Sequence, residues 1–104
     1  MKDRHVQIRE RLDAIIAEMK KIGFWALPQP SQEDFENMGA FGLNTMAFAQ
    51  WLRYVFVPNV ESRLADGGPW PSTSMVGAQA IREFDGQDNA QELVGLLIEF
   101  DQLF

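Results

Sequence analysis

A segment near the middle of the chain is apolar around almost its whole helical circumference: NTMAFAQWLRYVFV, residues 44–57. Asn44 or Thr45 can cap the start of a helix here. Only Gln50 and Arg53 give this helix a polar edge, and a helix with so little polar surface is buried on nearly all sides. We therefore predict a central helix around which the rest of the chain packs.

Pro58 follows this segment and has no backbone N–H. The central helix must therefore end or kink at Pro58, and we expect two further turns up to the glycine pair at residues 67 and 68. The link Pro-Trp-Pro-Ser at residues 69–72 is rigid and extended.

Three further amphipathic patterns flank the central helix. Apolar residues recur at helical spacing from about residue 2 to 22, from 73 or 74 to 84, and from 88 to the last residue. Asp88 and Gln91 are spaced as a capping box for the last of these helices. Only about three residues separate the last two helices, so we expect them to lie antiparallel.

The connection between the first two helices, residues 24–43, is unusually long for so small a protein. It contains two prolines and, at residues 31–34, the sequence SQED, which can start a single helical turn. Six large apolar side chains in this connection indicate that it packs across the core: Phe24, Trp25, Leu27, Phe35, Met38 and Phe41.

These patterns predict an all-α fold, a four-helix bundle with a long aromatic-rich connection between its first two helices. A chain of 104 residues buries about 65% of its unfolded surface, which is enough for a true core. We expect one helical-bundle domain over residues 1–104.

The charge balance narrows the partners that the chain can bind. Nine Lys and Arg against fifteen Asp and Glu give a net charge of −6. Because RNA binding needs cations to neutralise phosphates, it is disfavoured, and only the cation-rich first helix could support it. The apolar stretches are shorter than the ~20 residues of a membrane span, and no signal peptide is apparent. We expect a cytoplasmic protein that binds neither nucleic acid nor membrane.

Few residues offer the chemistry of a catalytic or metal site. His5 is the one histidine, it lies in a terminal turn expected to be frayed, and the chain has no cysteine. Residues 85–89, DGQDN, resemble a calcium loop only faintly. Glu99 and Asp101 are two residues apart on one helix and should point apart. The sequence therefore predicts a non-enzymatic protein without catalytic residues, metal or cofactor.

Aromatic side chains are concentrated in the middle of the chain, and most should fill the core. The alternative is that part of this set lines a groove between the 24–43 connection and the central helix, like the grooves that bind peptides. Trp70 either presents its ring to a partner or folds back to plug the end of the bundle. The candidate interaction surface consists of Phe41, Gln50, Trp51, Arg53, Arg63 and Trp70.

Four parts of the chain share residues and spacing with one protein family. They are the run FGLNTMAFAQWLRYVFVP at 41–58, Trp25, the sequence WPS at 70–72 and the ending DQLF at 101–104. In these features the chain resembles the YqcC-like family of small bacterial proteins of unknown function. The resemblance implies a small all-α bundle in the cytosol. It also implies a link with a tRNA pseudouridine synthase, because genes of the family often lie beside that of such an enzyme.

Three positions depart from the family pattern. The family usually has Asp where Asn44 stands, a basic residue where Asn59 stands, and often Pro near Gly77. Because Asn caps a helix as well as Asp does, the implied fold is unaffected, whereas any role for a cation after the proline is not carried over.

Two functions from different classes follow from these observations. The first is a non-enzymatic interaction module, an accessory to an RNA-modifying enzyme, with the groove around Trp51 and Trp70 as its contact surface. The alternative is a small-molecule-binding protein or weak enzyme with a pocket under the 24–43 connection. For either function we expect a monomer or a weak homo-oligomer.

Overall fold

The computed structural model describes residues 3–104, and within that range every regular element is helical. The predicted all-α class is therefore confirmed. The α-helices are α1 (Arg4–Lys21), α2 (Gln32–Glu36), α3 (Phe48–Trp51), α4 (Val57–Asp66), α5 (Val76–Glu83) and α6 (Gln91–Asp101). A π-helical turn, Leu52–Phe56, joins α3 to α4 without a break, so residues 48–66 form one central helix. Short 3₁₀ turns lie at Phe24–Ala26, Ala40–Gly42 and Asp88–Ala90.

The first helix follows the predicted apolar stripe. Ile8, Leu12, Ile15 and Met19 are fully buried, and the helix ends where Gly23 adopts a positive φ of 87°. Such a backbone conformation costs glycine little, which explains the stop at this position. The predicted start near residue 2 lies outside the described residues.

The central helix begins at Phe48, so the prediction that Asn44 or Thr45 caps it is wrong. The Thr45 hydroxyl instead donates to the carbonyl of Asp34, at 2.6 Å. This bond links the segment before the central helix to α2, the short helix within the connection. The helix start is satisfied from inside, because the Gln50 side chain accepts from the backbone N–H of Ala47 at 2.9 Å. Residues 44–46 form turns that carry the connection into the helix.

Pro58 changes the helical register without ending the helix. The backbone N–H of Val57 bonds to the carbonyl of Leu52, five residues earlier, which is the π pattern. Pro58 has no N–H, so it cannot make the hydrogen bond that an α-helix would have at this position. The π turn just before it accommodates the missing bond, and the helix continues. The helix then runs on to Gly67, whose φ is 79°, as predicted.

The last two helices start later than predicted, at Val76 and Gln91. The predicted capping box of Asp88 with Gln91 is wrong: the Gln91 amide donates to the carbonyls of Phe84 and Gln87, both at 2.9 Å. A side chain that bonds backward to the end of α5 closes the turn between the two helices. This turn lets α5 pack directly against α6.

Helix α1 packs between α6 and α4, and ion pairs join the cations of α1 to acids on both neighbours. Arg11 and Lys21 each lie 3.7 Å from a carboxylate of α6, those of Glu99 and Glu92. The basic first helix and the acidic last helix thus attract each other across the bundle. In the described part of the chain, no helix is long and apolar enough to cross a membrane.

Candidate interaction surface

The connection at residues 24–43, called the strap below, is fastened to the central helix by three polar side chains. Gln50 donates to the carbonyl of Pro28 at 3.0 Å, and Arg53 donates to that of Trp25 at 3.2 Å. The Tyr54 hydroxyl donates to the carbonyl of Leu27. These bonds satisfy backbone carbonyls of a segment that has little helix of its own.

Arg53 also places its guanidinium over the Trp25 ring, 3.7 Å from the ring centre. This cation–π contact adds to the hydrogen bond and fixes the strap at its first turn. Two residues of the predicted surface, Gln50 and Arg53, therefore form the joint between strap and helix. A cavity of about 330 Å³ lies at the edge of the strap, between Phe24, Leu27 and the start of the central helix.

Phe41 lies at the other end of the strap, in a left-handed conformation with φ of 54°. A non-glycine residue with positive φ is strained unless its surroundings compensate. The ring packs edge-on against Trp51, 5.3 Å between centres, and against Phe48 at 6.1 Å. Its other side lines a shallow cavity with Met75 and neighbouring residues of α5. Phe41 thus joins the core to the outer face of α5.

The aromatic side chains form one continuous chain of ring contacts through the molecule. Neighbouring rings lie 5.2–6.1 Å apart, the spacing of favourable aromatic pairs. The order of rings is Phe24, Phe84, Phe48, Trp51, Phe56, Phe100, Phe104, Trp70 and His5. Most of the aromatic set is therefore structural, as the leading interpretation of the sequence held.

One of the cavities along the aromatic chain lies beside Trp70 and has a volume of about 170 Å³. This Trp70 cavity lies between the central helix, the link that follows it and the end of α6. Phe56, Val60 and Phe100 are the buried residues that line it. Its other lining residues are Trp51, Asn59, Arg63, Trp70, Pro71, Thr73, Ser74 and Phe104.

Trp70 is half-buried and makes contacts on two sides. Its ring centre lies 6.1 Å from that of Phe104 and 5.8 Å from that of His5. The link is held in place because Arg63 donates to the carbonyl of Pro69 at 2.8 Å. Trp70 thus packs onto the end of the bundle and also forms a wall of the cavity.

The structure divides the six residues predicted for an interaction surface into two groups. Trp51, Arg63 and Trp70 meet at the Trp70 cavity. Gln50 and Arg53 lie at the strap, on bonds to its carbonyls. Phe41 contacts the first group through Trp51.

His5 is held in the structure, in contrast to the frayed turn expected for it. Its Nε2 lies 3.0 Å from the carbonyl of Leu64, and its ring contacts Trp70. His5 lies on the same helix face as Leu12, and this spacing could have indicated from the sequence that its side chain packs against the protein. No group of three or more potential metal ligands is assembled within residues 3–104.

Asp101 has a role that its spacing from Glu99 did not indicate. Its carboxylate accepts from the Ser74 hydroxyl at 2.6 Å and from the backbone N–H groups of Gly77 and Ala78 at 2.8 and 3.3 Å. It therefore caps α5 from the end of α6, while Glu99 points to Arg11. The two carboxylates point apart, as predicted. A partner 24 residues away along the chain cannot be read from local spacing.

Arg9 forms the strongest polar contact between α1 and α4. Both of its terminal nitrogens lie 2.8 Å from carboxylate oxygens of Glu61, and it also bonds Asp13 on its own helix. The hydrogen bonds from Arg9 hold the pKa of Glu61 below its usual range. Bidentate pairs of this kind fix the relative position of two helices as well as stabilising them.

The comparison with protein families matches almost the whole chain. The family model described as "DUF446: tRNA pseudouridine synthase C" covers residues 7–103. The chain belongs to the DUF446 family. Its relatives include an uncharacterised protein of Haemophilus influenzae, 25% identical over 93% of this chain and 92% of that protein. No solved structure matches the chain significantly.

Two further relatives of this DUF446 protein carry more specific names. The protein YqcC of Escherichia coli K12, itself uncharacterised, is 26% identical over 69% of this chain and 66% of its own length. The resemblance to YqcC-like proteins is thereby confirmed. The tRNA pseudouridine synthase C of Pectobacterium carotovorum is 33% identical over 61 residues, 59% of this chain but only 16% of that protein.

Proposed function

We propose that this DUF446 protein is a non-enzymatic interaction module that serves as an accessory to a tRNA pseudouridine synthase. The observation that carries the proposal is the 61-residue similarity to a stretch within the much longer tRNA pseudouridine synthase C of Pectobacterium. In that enzyme the similar stretch belongs to the same polypeptide as the rest, so the two parts meet at a high effective concentration. The chain described here is a separate polypeptide, so it would have to bind the enzyme to occupy the same position.

The contact surface that we propose runs from Phe41 over Met75 to Trp70. Phe41 and Met75 line one shallow cavity, and Ser74, next to Met75, lines the Trp70 cavity. Met75 is 61% exposed and Ile81, farther along α5, is 54% exposed. Exposed apolar side chains beside an anchored tryptophan are typical of the central part of a protein interface.

The charge of the chain favours a basic partner. Arg9, Arg11 and Lys21 on α1 already lie beside carboxylates of α4 and α6, so these cations add little to the outer field. The chain as a whole keeps a net charge of −6. Complementary charge accelerates association and is screened by salt, so binding to a basic enzyme should weaken as ionic strength rises.

The proposed surface is tested by binding of purified variants to the purified tRNA pseudouridine synthase C of the same organism. Because Trp70 also packs on Phe104 and His5, Trp70→Ala should lower both binding and the melting temperature. Met75→Ala removes an exposed side chain, so we expect it to weaken binding at least about fivefold at an unchanged melting temperature.

Val6→Ala is the matched control, because Val6 is a 47% exposed apolar residue on α1 that lines neither the cavity of Phe41 and Met75 nor the Trp70 cavity. It should leave both binding and melting temperature unchanged. Equal binding by the unmutated chain and the Met75→Ala variant would move the contact elsewhere. Absence of any association at micromolar concentrations would rule out this partner.

A further inference from the structure

The Trp70 cavity combines an aromatic interior with an arginine at its mouth. Among its lining residues are one cation, Arg63, and the neutral polar residues Asn59, Thr73 and Ser74. No Asp or Glu side chain is among these lining residues, although the chain has six more acids than cations. A larger cavity next to α4, of about 430 Å³, is lined by Arg9 together with Glu10 and Glu61.

Two acids lie beside residues of the lining. Asp101 contacts Ser74, and its two oxygens accept from that hydroxyl and from the backbone N–H groups of Gly77 and Ala78. Asp66, three residues after Arg63, lines a neighbouring cavity that Arg63 also lines. A second cation, Arg4, lies 4.7 Å from the centre of the Phe104 ring, which forms part of the wall. Arg63 is therefore the cation of the lining that can pair with an anion.

The volume and walls of the cavity set the size and type of the ligand. A dry, apolar cavity of about 150 Å³ in another protein accommodates benzene, and the Trp70 cavity has about 170 Å³. Trp51, Trp70 and Phe104 are half-buried around it and can contact a ring by edge or face. One of the guanidinium nitrogens of Arg63 bonds Pro69, which holds the side chain in place and leaves further N–H donors.

We propose that the Trp70 cavity binds a small organic anion that consists of one aromatic ring and a carboxylate. The ring lies among Trp51, Trp70 and Phe104, and the carboxylate pairs with Arg63 at the mouth. Arg63 is exposed at the mouth, so the carboxylate adds a charge-assisted pair there and the ring supplies the apolar contact. This site is independent of the proposed accessory function, since it needs only the isolated chain.

The test is a titration of the isolated chain with phenylacetate, followed by the indole N–H signals of its three tryptophans in NMR spectra. Trp51 and Trp70 should shift in a saturable manner, while Trp25, under Arg53 at the strap, serves as an internal reference. For ten non-hydrogen atoms we expect a Kd of about 1 mM or lower. Phenethylamine, which has the same ring and a positive charge, should bind at least about tenfold more weakly.

Variants at Thr73 separate charge from shape. Thr73 is exposed at the mouth, so Thr73→Asp adds a negative charge and Thr73→Asn is the neutral control of equal size. We expect Thr73→Asp to weaken phenylacetate about fivefold or more and Thr73→Asn to change it less than about twofold. Arg63→Gln should weaken it about tenfold, with Arg82→Gln as an unaffected surface control.

Any one of four results would overturn the site. The first is a lack of saturation at 10 mM phenylacetate, which is about ten times the expected Kd. The others are largest NMR shifts at Trp25, equal binding of phenethylamine and phenylacetate, and equal effects of the two Thr73 variants on phenylacetate binding. Circular dichroism of each variant distinguishes a lost site from a lost fold.

Discussion

At the scale of single residues, Asp101 links the ends of two helices. Its carboxylate bonds the Ser74 hydroxyl and two backbone N–H groups at the start of α5, although it belongs to the last turn of α6. The free N–H groups of a helix start are thereby satisfied by a side chain from another element. The carboxylate at position 101 therefore stabilises the start of α5.

Replacing Asp101 by Ala should lower the free energy of unfolding by about 1–2 kcal/mol, because the N–H groups of Gly77 and Ala78 lose their acceptor. Asp88→Ala is the control, since Asp88 is exposed and was wrongly predicted to cap α6. Urea denaturation of both variants measures the difference. Equal stability of the two would show that the cap across the helices contributes nothing.

The two glycines inside helices α5 and α6 should respond oppositely to alanine. A Cβ on Gly77 would lie 2.6 Å from backbone atoms of Ile98, so Gly77→Ala forces α5 and α6 apart and should cost about 1–3 kcal/mol. Nothing lies within 4 Å of a Cβ on Gly95, so Gly95→Ala should stabilise by up to about 1 kcal/mol through helix propensity. Thermal melting measures both, and destabilisation by Gly95→Ala as well would contradict the packing described.

At the scale of whole elements, the joint between α1 and α4 depends on the ion pair of Arg9 with Glu61. Arg9 holds the pKa of Glu61 below its usual range, so folding favours the charged form of this carboxyl. The stabilisation is therefore complete above the ordinary pKa of Glu and is lost as pH falls through the lowered value in the folded protein. Because both side chains are about 40% exposed, solvent reduces the effect.

A double-mutant cycle with Arg9→Gln and Glu61→Gln should give a coupling of about 0.5–1 kcal/mol at pH 7. The coupling should fall toward zero in acid, once Glu61 is protonated in the folded protein. A coupling that stays constant from pH 7 to about pH 2, well below the ordinary pKa of Glu, would show that the contact is not the ion pair seen here.

The helices differ in how well their sequence predicts them, for a physical reason. Apolar spacing is local information, and it is sufficient for the stripe of α1 and for the ends of helices at Gly23 and Gly67. The start of the central helix has a local partner, because Gln50 accepts from the backbone N–H of Ala47, whereas Thr45 is bonded to Asp34 instead of capping the helix. The start of α5 depends on the distant residue Asp101, so no local pattern indicates it.

The same reasoning applies to the candidate site. The sequence placed six residues on one candidate surface, and the structure brings three of them, Trp51, Arg63 and Trp70, together at one cavity. It could not indicate that Gln50 and Arg53 bond the strap, because their acceptors are backbone carbonyls 22 and 28 residues earlier. The exposure of Met75 also depends on the docking of α5, which spacing alone does not fix.

At the scale of the whole molecule, a chain of aromatic rings joins the strap at one end to the Trp70 link at the other. Trp70 and the strap both pack against this connected core. Because close-packed interiors transmit changes in shape, a partner or ligand at Trp70 also acts on the core that the strap contacts. Outside this core, the acids outnumber the cations, and three cations of α1 are paired. We therefore expect the molecule to bind a basic protein partner more readily than RNA.

Free tRNA should not bind the isolated chain tightly. A body of net charge −6 repels a polyanion, and the cations of α1 that could neutralise phosphates lie beside carboxylates. Filter binding at about 150 mM salt should show a Kd above 1 µM, the weak end of nucleic-acid affinities at physiological salt. Submicromolar binding would contradict the charge argument and would support direct RNA recognition.

Calorimetry tests most directly the proposal that this DUF446 protein binds a tRNA pseudouridine synthase. The purified chain is titrated into the purified tRNA pseudouridine synthase C of its own organism. We predict saturable one-to-one binding with a micromolar or lower Kd that weakens at least about fivefold between 50 and 300 mM salt, as expected for complementary charges. An absence of heat and of complex formation at 50 mM salt and about 50 µM protein, where a complex of 1 µM Kd is nearly saturated, would contradict the claim.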